Sequence, residues 1–464
     1  VMEMLTENEL RQVLDKAVST GGDFAELYWE DKEEHNIDFS GGKPGRVTAV
    51  RTVGAGIHLM AGTKSVYVCT NDLTLPALMR AAGQAAALLG ASDGQAANRP
   101  FTRQSVPTPN PVRVAPGSVD TARKIALLRE VDGSVAGVSG LRAMSVGYFD
   151  TDQHVTILNT DGLYTEDRRA ASRLRMSATM EGPDGKLLSR WGDFTKPQGF
   201  EAFDDLGAAE TFAKNFLDRL ALSLGAEPIR SCTVPVVLEA GACGTLWHEC
   251  CGHPLEAVAI ASGSSEFCGL LGQKVASDKV TLVDDGSIPG LYGSEAVDDE
   301  GRPTQKNILI ENGVLKGYLC DRLNGRRLGL PSTGSGRRQD YTYAPLSRMT
   351  NTYLAAGTDD EEEMIRDIDR GLFVTGVGGG SGGREFSIEV TEGWWIENGR
   401  LIHPVSGLTL NGKGPDVIKR VDRVGSKMAY DYGGFCGAGS GLIPTTAFQP
   451  RMRITEMAIG GTAE

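Results

Sequence analysis

Residues 243–256 read Cys-Gly-Thr-Leu-Trp-His-Glu-Cys-Cys-Gly-His-Pro-Leu-Glu. The stretch follows the apolar run Val234–Leu238, which reads as a buried strand. His248 and His253 flank Glu249. Neutral imidazoles are good zinc ligands, and a carboxylate beside the first can deprotonate a metal-bound water. The familiar protease spacing is H-E-x-x-H, one helical turn between histidines. Here it is H-E-x-x-x-H, and at roughly 100° per residue an i,i+5 pair lies about 140° apart on a regular α-helix. A single π-bulge, with i→i+5 bonding, brings both rings to one face, and such bulges favour functional sites. Gly252 and Pro254 predict a distortion here, because glycine is permissive and proline cannot continue the hydrogen-bond ladder. The competing reading is a regular helix carrying two ordinary histidines.

At 464 residues the chain is long enough for two or three domains. Its net charge of −13 provides no basic field for nucleic acid or anionic lipid, so neither is an expected partner. The eight cysteines form no C-x-x-C pair and no dense framework. No apolar run reaches spanning length, and no basic-then-apolar leader opens the sequence. A cytoplasmic protein with reduced thiols is expected.

In the first half, Thr6 and Glu9 have capping-box spacing, with Leu5 and Leu10 placed for a hydrophobic staple. Leu10, Val13, Leu14 and Ala17 follow at helical spacing until Gly21-Gly22. Strand-like runs come next at 25–30, 47–53, 56–60 and 65–70, then a helix over 75–89 and a connecting loop over 90–118. A helix near 121–131 precedes strands at 141–148, 155–159, 163–168 and 172–180. The last helix, 208–224, carries Phe212, Phe216, Leu220 and Leu224 on one face. Ordinary roles are expected for the histidines here: His35 solvated in a charged stretch, His58 and His154 hydrogen-bonded within strands. The alternation predicts an α+β domain over 1–225.

The second half, 226–464, is β-rich. Asp285-Gly286, Asn312-Gly313, Asn398-Gly399 and Asn411-Gly412 read as hairpin turns between strand-like runs at 280–283, 308–310, 314–319, 386–390 and 394–396. One helix is expected over 360–370. The fold class is therefore α+β in two domains, the second a curved, mostly antiparallel sheet or partial barrel carrying the histidine helix. Gly407–Lys413 imitates a phosphate loop, but Gly414 replaces the Ser/Thr that would hold Mg²⁺. Gly376–Gly383 imitates a dinucleotide loop, yet a strand pattern follows instead of a helix. Formal G-x-S-x-G matches at 90–94 and 379–383 lack the strand–turn–helix context of a serine nucleophile. The glycines at 376–383 read better as a loop or bulge beside a substrate groove.

A catalytic zinc takes three protein ligands plus water. Beyond the two histidines, Glu256, His403, Cys250, Cys251, Cys268 and Cys436 are available, and the residues alone leave the choice open. Arg337, Arg338, Tyr341 and Arg348 are candidate oxyanion donors that serve equally well as structural groups.

His248-Glu249-Cys250-Cys251-Gly252-His253 resembles the H-E-x-x-G-H core of the TldD/PmbA metallopeptidases. Val283-Asp284-Asp285-Gly286, Ile310-Glu311-Asn312-Gly313, Gly336-Arg337-Arg338, Arg348–Tyr353 and Gly460-Gly461-Thr462-Ala463 resemble further family segments in order. They cover the whole second half, whereas the first half resembles the family in length and coarse pattern. The resemblance implies Cys436, in Tyr432-Gly433-Gly434-Phe435-Cys436-Gly437-Ala438-Gly439, as third zinc ligand. The vicinal Cys250-Cys251 departs from the small or apolar pair expected there.

The expected function is then a zinc peptidase acting on unfolded or short peptides, with leader-peptide processing one such role. His248, His253 and Cys436 hold Zn²⁺, and Glu249 is the general base toward water. The resemblance also implies a homodimer or a heterodimer with a PmbA-like subunit. The alternative is a non-catalytic peptide-binding subunit of such a complex, against which the intact His248, Glu249, His253 and Cys436 stand.

Overall fold

The computed structural model describes residues 5–383 and 385–461; Thr462 and Ala463 of the terminal family segment lie outside them. Thr6 and Glu9 form the reciprocal capping box, Glu9 N–H donating to Thr6 Oγ1 at 3.3 Å and Thr6 N–H to the Glu9 carboxylate at 2.8 Å. Helix α1 (Glu7–Ala17) follows and buries Leu10, Val13, Leu14 and Ala17. The other long helices are α2 (Leu75–Leu89), α3 (Thr121–Ser134) and α4 (Leu206–Leu224).

Seven strands make the first sheet: β1 (Phe24–Ser40), β2 (Lys43–Ala61), β3 (Lys64–Thr70), β4 (Thr102–Gln104), β5 (Leu141–Asn159), β6 (Leu163–Glu181) and β7 (Leu187–Lys196). Their order is β3-β2-β1-β5-β6-β4, with β7 on β6, in a half-barrel. The helices α3 and α4 cover Val146, Tyr148, Leu174 and Met176 on one part of it, while α1 and α2 cover Leu27, Ile57 and Leu59. The two short runs at 141–148 and 155–159 are one continuous strand, because charged residues between them pair across the sheet, Asp152 with Arg168 for example. Strand β7 has no counterpart among the expected runs. His35 is only partly solvated: its Nδ1 lies 2.7 Å from Oδ1 of the buried Asp150.

The second sheet has twelve strands. They are β8 (Cys232–Leu238), β9 (Leu282–Asp285), β10 (Lys306–Glu311) and β11 (Val314–Leu315), a separate ribbon β12 (Gly336–Arg337) with β13 (Leu346–Ser347), then β14 (Asn351–Leu354), β15 (Arg370–Ser381), β16 (Phe386–Glu397), β17 (Arg400–Val405), β18 (Leu408–Gly412), β19 (Val421–Ala429), β20 (Gly434–Ala438) and β21 (Gly441–Gly460). The sheet closes. Long β21 pairs both β18 and β8, so β8, β15, β16, β18 and β21 form a complete barrel from which β14, β9, β10 and β11 extend. Val236, Leu238, Leu372, Val374, Ile388 and Ile454 share its core with Trp247.

Several expectations are corrected. The helix expected over 360–370 is only Glu363–Arg366, because Arg370 already begins β15 and Leu372–Val374 pair with Val236–Leu238 in the barrel. Asn312-Gly313 and Asn398-Gly399 do turn hairpins, with both residues of each pair at positive φ. Asp285-Gly286 instead opens a long connection to Lys306, and Asn411-Gly412 ends β18. Of the two readings of the glycine segment at 376–383, the bulge holds and the loop does not: most of it continues β15 through register shifts between Val374 and Gly380.

Candidate metal centre

Beyond β8, Gly241 at φ +91 turns the chain into a helix that begins as 3₁₀, passes through one α-turn at Thr245–Trp247 and becomes π over His248–Gly252. The widened turn is the one the i,i+5 spacing requires. It is held from both sides: any side chain at Gly244 would strike the backbone of Phe448, and any at Gly252 the sulfur of Met349. The Trp247 indole N–H donates to Gln449 Oε1 at 2.9 Å, tying the helix to β21. The His248 and His253 rings consequently face each other edge to face, with centroids 4.8 Å apart.

The third group arrives from the far end of the chain. The β20–β21 hairpin pairs Cys436 with Ile443 and sets Cys436 Sγ 3.2 Å from His253 Nε2. Donor atoms of His248, His253 and Cys436 all lie within 4.8 Å of one another. Around a tetrahedral ion with ordinary N and S bond lengths, neighbouring donors stand about 3.5 Å apart. Two imidazoles and a thiol so placed suit a divalent transition metal.

Electrostatics treat the two histidines differently. Burial, then the charges of His253 and Arg348, hold His248 well below the usual imidazole range, so its ring is neutral. Burial would also lower His253, but its contacts with Cys436 and Glu256 outweigh it and raise the group to about 11. The surroundings of His253 thus favour positive charge. Glu249 is raised, chiefly by burial and further by Glu256, against the pull of His253.

Glu249 lies under the end of β15. A methyl carbon at Gly380 would sit 2.9 Å from Glu249 Cγ, and one at Gly382 2.7 Å from Oε2. The two glycines therefore let backbone run directly over the carboxylate, the close approach that a glycine-rich segment beside the site allows.

The remaining candidates stand elsewhere. Cys250 and Cys251 are buried in the barrel core with their sulfurs 3.5 Å apart, and Cys268 Sγ donates to Ile260 O. His403, on β17, is 3.9 Å from Glu227 and outside the donor group. Glu256 contacts His253 Nδ1 rather than joining the donors. Of the candidate oxyanion donors, Arg337 is taken up by Met349 O, Pro444 O and Glu295, and Arg338 by Glu26 and Asp299. Tyr341 packs on Gly54 of the first sheet. Arg348 holds the Cys436 hairpin by Cys436 O, Ser440 and Gly441 O. The sequence does not reveal the part of the carboxylate at 256, whereas it does place the glycine segment 376–383 beside the site, and Gly380 and Gly382 are its members over Glu249. The H-x-x-E spacing after His253 was the available signal for the first.

Comparison with known proteins identifies the family. The chain matches the PmbA/TldA metallopeptidase C-terminal domain over 231–461, the central domain over 115–224 and domain 1 over 25–89. It is 32% identical over 472 aligned positions to a protein named metalloprotease TldD homolog from Haemophilus influenzae, covering 99% of this chain and 97% of that one. A metalloprotease of Methanothermobacter thermautotrophicus is 30% identical, covering 75% of this chain and 76% of its own. Among solved structures, a putative modulator of DNA gyrase from Bacteroides thetaiotaomicron superposes with TM-score 0.76 at 18% identity, covering 99% of this chain and all of that one. TldE from Thermococcus kodakarensis gives 0.71 at 17%, covering 98% and 100%. These two show a shared fold. With all three family domains matched in order and a full-length relative above 30% identity, the chain belongs to the PmbA/TldD family of metallopeptidases.

Proposed function

We propose that this protein is a zinc peptidase that hydrolyses unfolded or short peptides, with His248, His253 and Cys436 as metal ligands and Glu249 as general base. The observation that carries the reading is the convergence of those three donors beside Glu249, on elements 183 residues apart in sequence. When bound, zinc would polarise the scissile carbonyl and make a water acidic enough to react near neutrality. Glu249 takes the proton from that water and returns it to the departing amine nitrogen. Its raised pKa keeps the second transfer favourable, and the π-turn holds it next to His248.

Extended chains are the substrates this site suits. The β15 backbone beside Glu249 runs past the end of its pairing with β8 at Val374↔Leu238, and a peptide can add to such a strand by main-chain hydrogen bonds. Broad sequence tolerance follows. The fold shared with TldE favours a complex with a TldE/PmbA-type subunit. A cytoplasmic setting fits eight free cysteines; among the described residues no helix is long and apolar enough to cross a membrane.

Metal analysis and mass spectrometry of peptide products test the proposal together. Purified without chelator, the protein should carry about one zinc per chain. Glu249→Gln should retain that zinc and cleave about 10²–10⁴-fold more slowly. Undiminished cleavage by the variant removes Glu249 from the mechanism.

A further inference from the structure

Behind the three donors stand two buried charged groups, Glu256 and Arg348, that take no part in the chemistry above. Glu256 occupies its place for a local reason. Pro254 ends the helix, and Glu256 turns to an extended conformation (φ −70°, ψ 131°) while its N–H still donates to His253 O at 3.2 Å. The following N–H, of Ala257, donates to Leu319 O at 2.7 Å and pins the turn. The Glu256 carboxylate is thereby folded back beneath His253, with Oε2 3.2 Å from Nδ1.

Arg348 approaches from the other side. Its Nη2 donates to Cys436 O at 2.6 Å, and its Nη1 to Ser440 Oγ and Gly441 O, both at 3.0 Å. Its Nε faces Glu256 Oε1 at 3.8 Å. Both of those facing atoms are buried and have no hydrogen-bond partner. Among the described residues Glu256 is the one carboxylate within ion-pair distance of Arg348, and Glu256 faces His253 as well.

We propose that Glu256 and Arg348 are positioning residues: one carboxylate–guanidinium frame that sets which His253 nitrogen faces the metal and fixes the Cys436 hairpin against the histidine helix. The inference rests on the reading of His248, His253 and Cys436 as ligands. A neutral imidazole offers a lone pair on one nitrogen only. His253 Nε2 points toward Cys436, so the proton must reside on Nδ1, and a carboxylate facing Nδ1 selects that tautomer. The same carboxylate is steadied by Arg348, whose other two nitrogens hold the hairpin backbone at the ligand itself. A lysine could supply the charge but not this planar fork.

The test is zinc affinity of the full chain, measured by competition with a chromophoric chelator, together with the visible absorption spectrum of the Co²⁺-loaded protein. Glu256→Gln keeps the side chain's size and removes its charge; it should bind zinc about 10–100-fold more weakly. Its Co²⁺ spectrum should shift, a change that the lowered thermal stability expected from leaving Arg348 without its buried counter-charge does not by itself produce. Arg348→Lys should weaken zinc in the same direction. The double variant should lose less than the product of the two single losses, since both act through one frame. If Arg348→Lys does not fold, Glu256→Gln decides alone. Wild-type affinity and an unchanged Co²⁺ spectrum for Glu256→Gln overturn the proposal. A wild-type protein that binds no zinc, or whose zinc is unaffected by His248→Ala, instead overturns the ligand reading beneath it.

Discussion

At the level of single residues, the three cysteines nearest the centre differ in what surrounds their sulfurs. Cys436 Sγ faces an imidazole nitrogen at 3.2 Å, whereas Cys250 and Cys251 face each other inside the barrel core. Burial, and then the neighbouring Cys251 thiol, push Cys250 well above the usual thiol range, so it acts as a small hydrophobe. Cys436→Ser should therefore strip most of the zinc, because a neutral hydroxyl replaces a bound thiolate. Cys250→Ser and Cys251→Ser should keep it, at a stability cost of about 1–3 kcal/mol for a buried hydroxyl lacking a good partner. Zinc content of the three variants side by side decides; loss from Cys250→Ser with retention in Cys436→Ser would move the ligand to the helix. A second residue carries a pH signature. His58 is buried against Tyr67 with Nδ1 unpartnered, and burial, followed by Arg338, Arg322 and Arg326, lowers it to about 3. Its unfolded form takes up a proton below about 6.5 while the folded form stays neutral. Wild type should therefore lose stability relative to His58→Gln as pH falls from about 6.5 toward 3, with the two denaturation midpoints running parallel above that range.

Among the elements, the π-turn was legible because the i,i+5 spacing admits few other ways to bring two imidazoles together, and Gly252 and Pro254 mark the distortion locally. The capping box of α1 was equally local. Cys436 could be found only through resemblance, since its approach depends on pairing between β20 and β21 and on nothing near His253 in sequence. Barrel closure was hidden for a similar reason: β21, absent from the expected strands, serves β14, β19, β8 and β18 with different parts of its length. At the end of β15 the sequence leaves loop and bulge both open, because glycines usually signal turns. Here Gly380 and Gly382 are small for lack of space, not to reach positive φ, and the strand continues through Gly380 to Ser381. That distinction yields a prediction. Gly380→Ala places a methyl group against the Glu249 side chain and should displace the base without touching a ligand. Zinc content should remain near wild type while kcat falls by about 10-fold or more, as misplacement of a catalytic group by about an ångström costs up to 10²-fold. Unchanged kcat with full zinc would show that Glu249 does not depend on this backbone contact.

For the molecule as a whole, the question is how the half-barrel sheet and the barrel are held together, since the centre draws all its named groups from the second. Buried charge crosses the join, beside the apolar contact of Phe24 and Met60 with Leu323. Arg338 Nη2 donates to Glu26 Oε1 on β1 at 2.8 Å and to Asp299 O at 2.6 Å, and its guanidinium lies 4.2 Å from the Tyr28 ring centroid. Arg169 on β6 reaches back to Asp299 at 2.7 Å, and Tyr67 on β3 donates to Tyr341 O at 2.6 Å. We take 1–225 and 226–464 as the two folding units, and this network as the reason they should unfold together. Removing one partner of a buried pair is far more costly than removing both, because it leaves a charge without compensation. Arg338→Met should destabilise the protein by about 3–5 kcal/mol. Glu26 would then titrate from a raised value, for its burial already pushes it upward and Arg338 is the main opposing influence. That variant should regain part of its stability as pH falls toward the carboxylate's new range, where the buried group is neutral. Combining Arg338→Met with Glu26→Leu should recover most of the loss at neutral pH, since no buried charge remains unpaired. Denaturant titrations of the two single variants and the double variant, at neutral and mildly acidic pH, measure all three expectations. Additive losses in the double variant would mean that Glu26 and Arg338 contribute independently. The join between the sheets would then rest on apolar contact instead.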